Sequence, residues 1–314
     1  MTYRTILRTF SPGDFITICF LCFLIILNLV FHTRVEQWLA LVTINVAVIV
    51  GIVAIAQLAD RWKTKLLVAL HRWYCYPIIL FVFKEIYLMV RPIHPVDYDS
   101  LLMAVDYWMF GVHPTQWLAQ FSHPLLTEVL QIGYFSYYLL FIILGVEIYR
   151  RYSLERFDNA AFLIVYGFYL SYLGYFLLPA VGPRFTLHDF QQLQTDLPGL
   201  LLTDIVRGII NAGESINLAH PNPVEIVQRD VFPSGHTQLT LIVLYLGFKN
   251  NLRSRWLLLG LGTVLLIGTV YLRYHYVIDL IGGFLFFLLT IWTGQRLHNW
   301  WDRYRNLDTQ TKFS

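Results

Sequence analysis

Three short segments of this chain carry residue types and spacings that suit chemistry on an anion. The first is VFPSGHTQLTLIVL, Val231–Leu244, where a Pro-Ser-Gly-His turn opens directly into an apolar run. Pro233 suits the first turn of a helix, where a missing N–H costs nothing. Ser234 and Gly235 would then present backbone N–H groups at the positive end of that helix, a ready seat for phosphate or another anion. Gly235 lets a ligand come close to the backbone, and His236 in the same turn can deliver a proton. The plainer alternative is a serine cap beside an interfacial histidine.

The second segment is RYHYVIDLIGG, Arg273–Gly283. His275 and Asp279 are four apart and share a helix face. A carboxylate on one imidazole nitrogen fixes the tautomer and leaves the other nitrogen free to attack. The competing readings are a polar pair tying two helices together and a metal site; no Cys lies nearby and no His-x-x-x-His occurs. The third segment is KEIYLMVRP, Lys84–Pro92. Lys84 and Arg91, seven apart, face the same way on a helix that Pro92 brings to its end. Alone, that pair also reads as a snorkelling lysine and an interfacial arginine.

The elements that must position these residues are membrane helices. Of the 314 residues 57% are hydrophobic and only 14% are charged, against about 25% charged in an average soluble domain. A spanning helix needs about 20 mostly apolar residues. Eight candidate spans follow: 14–32, 38–58, 66–90, 127–149, 159–181, 234–249, 256–272 and 276–294. The expected fold is therefore an all-α polytopic bundle of about eight transmembrane helices in one integral membrane domain over 1–314, with a cytoplasmic tail from 295. The apolar run from Phe15 to Phe31 is longer than a signal-peptide core and reads as a retained span. Cys19, Cys22 and Cys75 all lie in apolar runs, which argues against a disulfide framework.

With a cytoplasmic N-terminus, sixteen of the 23 Lys and Arg residues fall on the inner side, Arg4 and Lys312 among them, and seven on the outer side. The positive-inside rule favours that orientation, with both termini cytoplasmic. The basic balance thus reflects inner loops rather than a nucleic-acid partner. All three segments then gather at the outer interface. Cations and N–H groups for the oxygens, one histidine to attack and another to protonate the leaving oxygen fit phosphoryl transfer. A transporter would place polar residues mid-span in several helices, yet the second and seventh spans hold no charge and the first holds only Asp14, at its start.

The order Lys-x6-Arg-Pro, Pro-Ser-Gly-His, His-x3-Asp, running from Lys84 to Asp279, resembles the type 2 phosphatidic acid phosphatase superfamily. That superfamily includes membrane lipid phosphate phosphatases and the vanadium haloperoxidases. The resemblance implies Lys84, Arg91, Ser234 and Gly235 as phosphate ligands, His236 as general acid, His275 as the nucleophile that forms a phosphohistidine, and Asp279 as its orienting partner. It implies no metal or cofactor, a lipid phosphate or phospholipid substrate, and an extracytoplasmic site in a plasma (inner) membrane. One position departs from the family pattern: Thr269 stands six residues before His275, where an Arg is usual. Arg273 is the favoured substitute, with Arg184 and Arg229 as alternatives. LPAVGPR, HYVID and DSLLMAVDYWMFG also look similar to the inositol phosphorylceramide synthase-like branch, which implies a head-group phosphotransferase as the alternative activity. In the last of these segments the apolar residues Leu101, Leu102, Val105, Trp108 and Met109 recur at helical spacing. With Asp99 and Asp106 off that stripe, it reads as an interfacial helix.

Overall fold

The computed structural model describes residues 7–216, 220 and 222–310, with side chains described as far as residue 304. Arg4 and Lys312, placed above on the inner side, lie outside the described residues. Among the described residues the chain is helical, without strands. The longer helices are α1 (Pro12–Val30), α2 (Trp38–Trp62), α3 (Lys65–Trp73), α4 (Cys75–Ile93), α5 (Asp99–Phe110), α6 (Pro114–Ala119), α7 (Pro124–Phe135), α8 (Tyr137–Arg151), α9 (Leu154–Leu177), α10 (Thr203–Gly213), α11 (Gly235–Lys249), α12 (Arg255–Tyr271) and α13 (Val277–Gln310).

Among the described residues, five segments are long and apolar enough to cross a membrane: α1, α2, Lys65–Ile93 across α3 and α4, α9, and Val277–Tyr304 in α13. A sixth is added if α7 and α8, bent by 47° about Ser136, count as one crossing. The chain is thus a multi-pass helical membrane protein. The segments expected as the sixth and seventh spans form helices of 15 residues (α11) and 17 residues (α12). At 1.5 Å rise per residue both are shorter than the ~30 Å hydrocarbon core.

The chain divides into two compact units. The first comprises residues 1–93, 148–170 and 288–314. Its α1 starts from a reciprocal cap: Ser11 Oγ accepts from Asp14 N at 3.1 Å and Asp14 Oδ2 accepts from Ser11 N at 2.6 Å, with Pro12 at the first helical position. Asp14 is fully buried and also accepts from His71 Nε2 (2.8 Å) and the Tyr74 hydroxyl (2.6 Å), which ties α3 and the start of α4 to α1.

The second unit comprises 94–147 and 171–287 and holds the Pro-Ser-Gly-His and His-x3-Asp segments. Helix α12 packs against α7 and α11. The long connection after α9 is fastened by Glu128 of α7. Its carboxylate accepts from the backbone N–H groups of Leu200 (2.9 Å), Leu201 (3.2 Å), Leu202 (2.6 Å) and Thr203 (3.3 Å) and from the Thr203 hydroxyl (2.7 Å). One side chain thereby satisfies three N–H groups of the turn before α10 and the first N–H of the helix itself.

Candidate active site

Helix α11 begins at Gly235, so Pro233 lies before the helix rather than in its first turn. Ser234 is the N-cap: its Oγ accepts from Thr237 N at 3.2 Å, the geometry expected of serine at that position. Its own N–H donates to the Asp279 carbonyl at 3.0 Å. Ser234 is fully buried and spends its polar groups on structure. Gly235 and His236 supply the first amides of α11, which have no intrahelical acceptor. Gly283 lets α13 close onto this turn, because a Cβ there would stand 2.6 Å from the Ser234 carbonyl oxygen.

The two histidines meet. His275 Nε2 lies 3.3 Å from His236 Nδ1. Behind it, His275 Nδ1 lies 3.4 Å from Asp279 Oδ2, within ion-pair distance but too long for a strong hydrogen bond. That oxygen already accepts from Tyr276 N at 2.8 Å, and Asp279 Oδ1 has no partner. His236 is gripped between Tyr134 (4.5 Å between ring centroids, stacked) and Tyr137 (4.4 Å, tilted). Tyr134 in turn stacks on Tyr274 at 4.2 Å. His275 sits in the connection between α12 and α13. Burial holds its imidazole well below the usual histidine range, with the neighbouring His236 and the positive charge of Arg184 acting in the same direction. It therefore presents a neutral ring, the form that can attack.

Two aspartates that the sequence pattern set aside hold this connection in place. Asp106 accepts from the N–H groups of Val277 and Ile278, both at 2.8 Å. Those amides open α13 immediately after His275. Asp99, two turns earlier on α5, accepts from Val181 N (3.0 Å), Gly182 N (2.8 Å) and the Tyr276 hydroxyl (2.8 Å). Asp99, Leu102 and Asp106 point inward, while Leu101, Tyr107, Trp108 and Phe110 are exposed. A buried carboxylate is tolerated where it accepts backbone N–H bonds, and outward apolar rings suit a helix at a lipid surface. The i, i+7 spacing of the two aspartates on a helix was the available signal. Thr269, standing where an Arg was expected, has a structural part: its carbonyl accepts from both Tyr274 N and His275 N at 3.0 Å.

Of the three arginines considered for the missing cation, Arg273 is buried with its Nη1 bound to Asp196 Oδ2 at 2.8 Å and only its Nε without a partner. Arg229 is consumed by Asp97 (3.2 and 3.3 Å) and by the carbonyls of Val227 (2.6 Å) and Val224 (2.9 Å). Arg184 differs. It is buried, its Nη2 pairs with Glu214, and its guanidinium lies over the Tyr274 ring at 4.7 Å, yet Nε and Nη1 have no hydrogen-bond partner. Its charge acts on both His236 and His275. The backbone that carries it runs beside the His275 connection: Arg184 N donates to the Arg273 carbonyl at 3.0 Å. Gly182, at φ 94°, allows this approach, since a Cβ there would stand 2.9 Å from the Tyr274 carbonyl oxygen. Lys84 and Arg91 belong to the first unit, both exposed on α4. The structure thus brings His236, His275, Asp279, Ser234 and Gly235 together in the second unit, with Arg184 closer to the histidines' chemistry than Arg273.

A family model described as PAP2 superfamily matches residues 100–293. The matched stretch contains both histidine segments and begins after Lys84 and Arg91. No curated protein and no solved structure matches the chain. The family match covers more than half of the chain and takes in the paired histidines and the carboxylate behind His275, so the chain belongs to the PAP2 superfamily, whose membership supports a lipid phosphate enzyme of the phosphatase type.

Proposed function

We propose that the chain is a lipid phosphate phosphatase that works through a phosphohistidine on His275, without a metal, at the extracytoplasmic interface of the plasma membrane. The observation that carries this reading is the contact of His275 Nε2 with His236 Nδ1 at 3.3 Å, backed by Asp279 and faced by the charge of Arg184. In the proposed reaction the anionic oxygens are held by Nε and Nη1 of Arg184 and by the first amides of α11. Donors already in place where charge develops are usually the largest catalytic contribution. The lone pair of His275 Nε2 attacks phosphorus, the ester P–O bond breaks, and the leaving oxygen takes a proton from His236, a contribution of typically ~10²–10⁴-fold. Asp279 stabilises the imidazolium that forms. Water then attacks the phosphorus, giving its proton to His236, and the P–N bond breaks to release phosphate and neutral His275.

Sequence order alone gives Lys84 and Arg91 a phosphate-binding part. The head-group transferase reading shares every step up to the phosphohistidine and differs only in the acceptor. LPAVGPR, HYVID and DSLLMAVDYWMFG, the segments that resemble the synthase-like branch, are joined by Asp99 and Asp106. Their likeness is thereby accounted for by a common scaffold and does not itself require a lipid acceptor.

The test gives purified protein ³²P-labelled phosphatidic acid in chelator-containing micelles, quenches it in alkaline detergent, and repeats the assay with a ceramide present. Expected are phosphate release and a labelled, acid-labile, base-stable enzyme, both lost in His275→Ala. Turnover retained in His275→Ala refutes the nucleophile. Turnover that requires ceramide replaces the phosphatase by the transferase.

A further inference from the structure

Away from the histidines, the first unit contains a buried polar node that the proposed chemistry does not use. Glu85 on α4 is 2% exposed, and Asn28 on α1 and Asn45 on α2 are fully buried. Glu85 Oε1 accepts from Asn45 Nδ2 at 2.6 Å and from Asn28 Nδ2 at 3.3 Å. All three residues stand in segments long and apolar enough to cross a membrane. A carboxylate in such a setting is costly unless its charge is neutralised, and an intramembrane ionisable group therefore points to function. Among the described residues, no lysine, arginine or histidine pairs with Glu85.

The remaining oxygens show what kind of neutralising group fits. Glu85 Oε2, Asn28 Oδ1 and Asn45 Oδ1 are all buried and accept no hydrogen bond. The Asn28 amide cannot simply be turned over, because its Nδ2 donates to the Leu24 carbonyl at 3.0 Å. A proton on Glu85 would satisfy Oε2 and one carboxamide oxygen and leave the other without a donor. A cation between them would satisfy all three at once. One carboxylate balances one positive charge, whereas a divalent ion would leave an uncompensated charge in an apolar bundle. The donor set, one carboxylate and two carbonyl-type oxygens, is that of a hard cation.

We propose that Glu85, Asn28 and Asn45 form a site for a dehydrated monovalent cation of sodium type, which locks α1, α2 and α4 to one another. The ion also fixes the rotation of α4, the helix that turns Lys84 and Arg91 outward. Because the site uses none of the histidine chemistry, its test is independent of the phosphatase reading.

Detergent-solubilised full-length protein is melted in choline chloride of constant ionic strength with increasing replacement by NaCl, and binding of ²²Na⁺ is measured on the same preparation. Expected are a saturable rise in apparent Tm of several degrees, about one sodium bound per chain, and loss of both in Glu85→Gln, an isosteric change that removes the charge. Asn45→Asp adds a second carboxylate and is expected to shift the stabilising ion from sodium to calcium. Superimposed melting curves in sodium and choline, with no ²²Na⁺ retained, overturn the proposal. So does a Glu85→Gln protein that keeps the sodium response.

Discussion

Replacing Asp106 by Asn tests whether the α5 aspartates hold the reacting histidine in place. Asp106 does not contact His275; it accepts two backbone N–H bonds of 2.8 Å from the residues that follow Tyr276. Hydrogen bonds to a charged partner contribute about 1.5–3 kcal/mol each. An asparagine keeps one acceptor at neutral strength, about 1 kcal/mol, and turns an NH₂ towards the second N–H. The expected loss is about 2–5 kcal/mol. If it is spent on displacing the His275 connection, turnover falls roughly 30- to 5,000-fold, at tenfold per 1.36 kcal/mol. Initial rates of phosphate release from a lipid phosphate series separate kcat from KM, and apparent Tm is read in parallel. The fall is expected in kcat, because Asp106 anchors the segment of the nucleophile. Asp99→Asn is expected to raise KM as well, because Asp99 holds Val181 and Gly182, two residues before Arg184. Asp106→Glu, which restores a carboxylate, should recover part of the rate. An Asp106→Asn enzyme that melts earlier but keeps kcat within about threefold of wild type would refute the argument, because the aspartate would then support the fold alone.

Arg184→Ala removes two unpartnered guanidinium nitrogens from the histidines' surroundings and should cost about 10²-fold in kcat/KM, the worth of one or two charge-assisted bonds. Arg273→Ala frees only a half-exposed Asp196 and should cost less than about tenfold; the reverse ranking restores Arg273 as the clamp. Lys84→Ala should lower kcat/KM without changing the acid lability of the phosphoenzyme, and unchanged kinetics remove Lys84 from the phosphate-binding set. The acid limb of the kcat/KM profile should lie below the ordinary histidine value of about 6.5, because burial lowers His275 and the nucleophile must be neutral; a limb at or above that value contradicts the assignment. His188 is lowered to about 4 by burial and then by the Arg273 charge. Its neutral form therefore favours the fold fully above about pH 6.5, and that stability is lost as pH falls towards 4; apparent Tm of His188→Gln should fall less over that window.

What the sequence could reveal depended on whether the physics was local. Pro-Ser-Gly-His and His-x3-Asp are local: a cap, a helix end and an i, i+4 pair can be read without knowing the fold. Hydropathy marked the long apolar segments for the same reason. It also placed 234–249 and 256–272 within one residue of α11 and α12, which are shorter than a full crossing. Nearness in sequence to His275 favours Arg273 over Arg184 and Arg229, but the distinction lies in who pairs with whom: Asp97 and Asp196 take Arg229 and Arg273 from distant positions in the chain. The part played by the α5 aspartates is hidden for a related reason: the stripe sets them on a separate face but does not say what that face meets. In a soluble helix the charged face looks outward, whereas here exposed Trp108 and Phe110 mark the outer face and the carboxylates turn in to meet backbone N–H groups.

The 3.3 Å contact between the histidines also bears on how the proposed reaction begins. An in-line attack needs His275 Nε2 within about 3–3.5 Å of phosphorus on one side, and His236 within about 3 Å of the leaving oxygen on the other. Two rings in direct contact leave no room for a phosphoryl group between them. The arrangement seen is therefore a resting one, in which each imidazole satisfies the other. The two rings are not equally able to yield. His275 is buried in a connection fixed by Asp106, Thr269 and Asp99. His236 is half-buried between Tyr134 and Tyr137, a slot of ring faces along which an imidazole can slide at the loss of its contact with His275 alone. Opening thus falls to His236. The incoming phosphate compensates by giving Arg184 Nε and Nη1 the acceptors they lack in the resting site, and by raising the proton affinity of the histidine beside it. Substrate binding in this scheme both separates the pair and charges the acid, so that the proton donor is armed only when there is an ester to cleave.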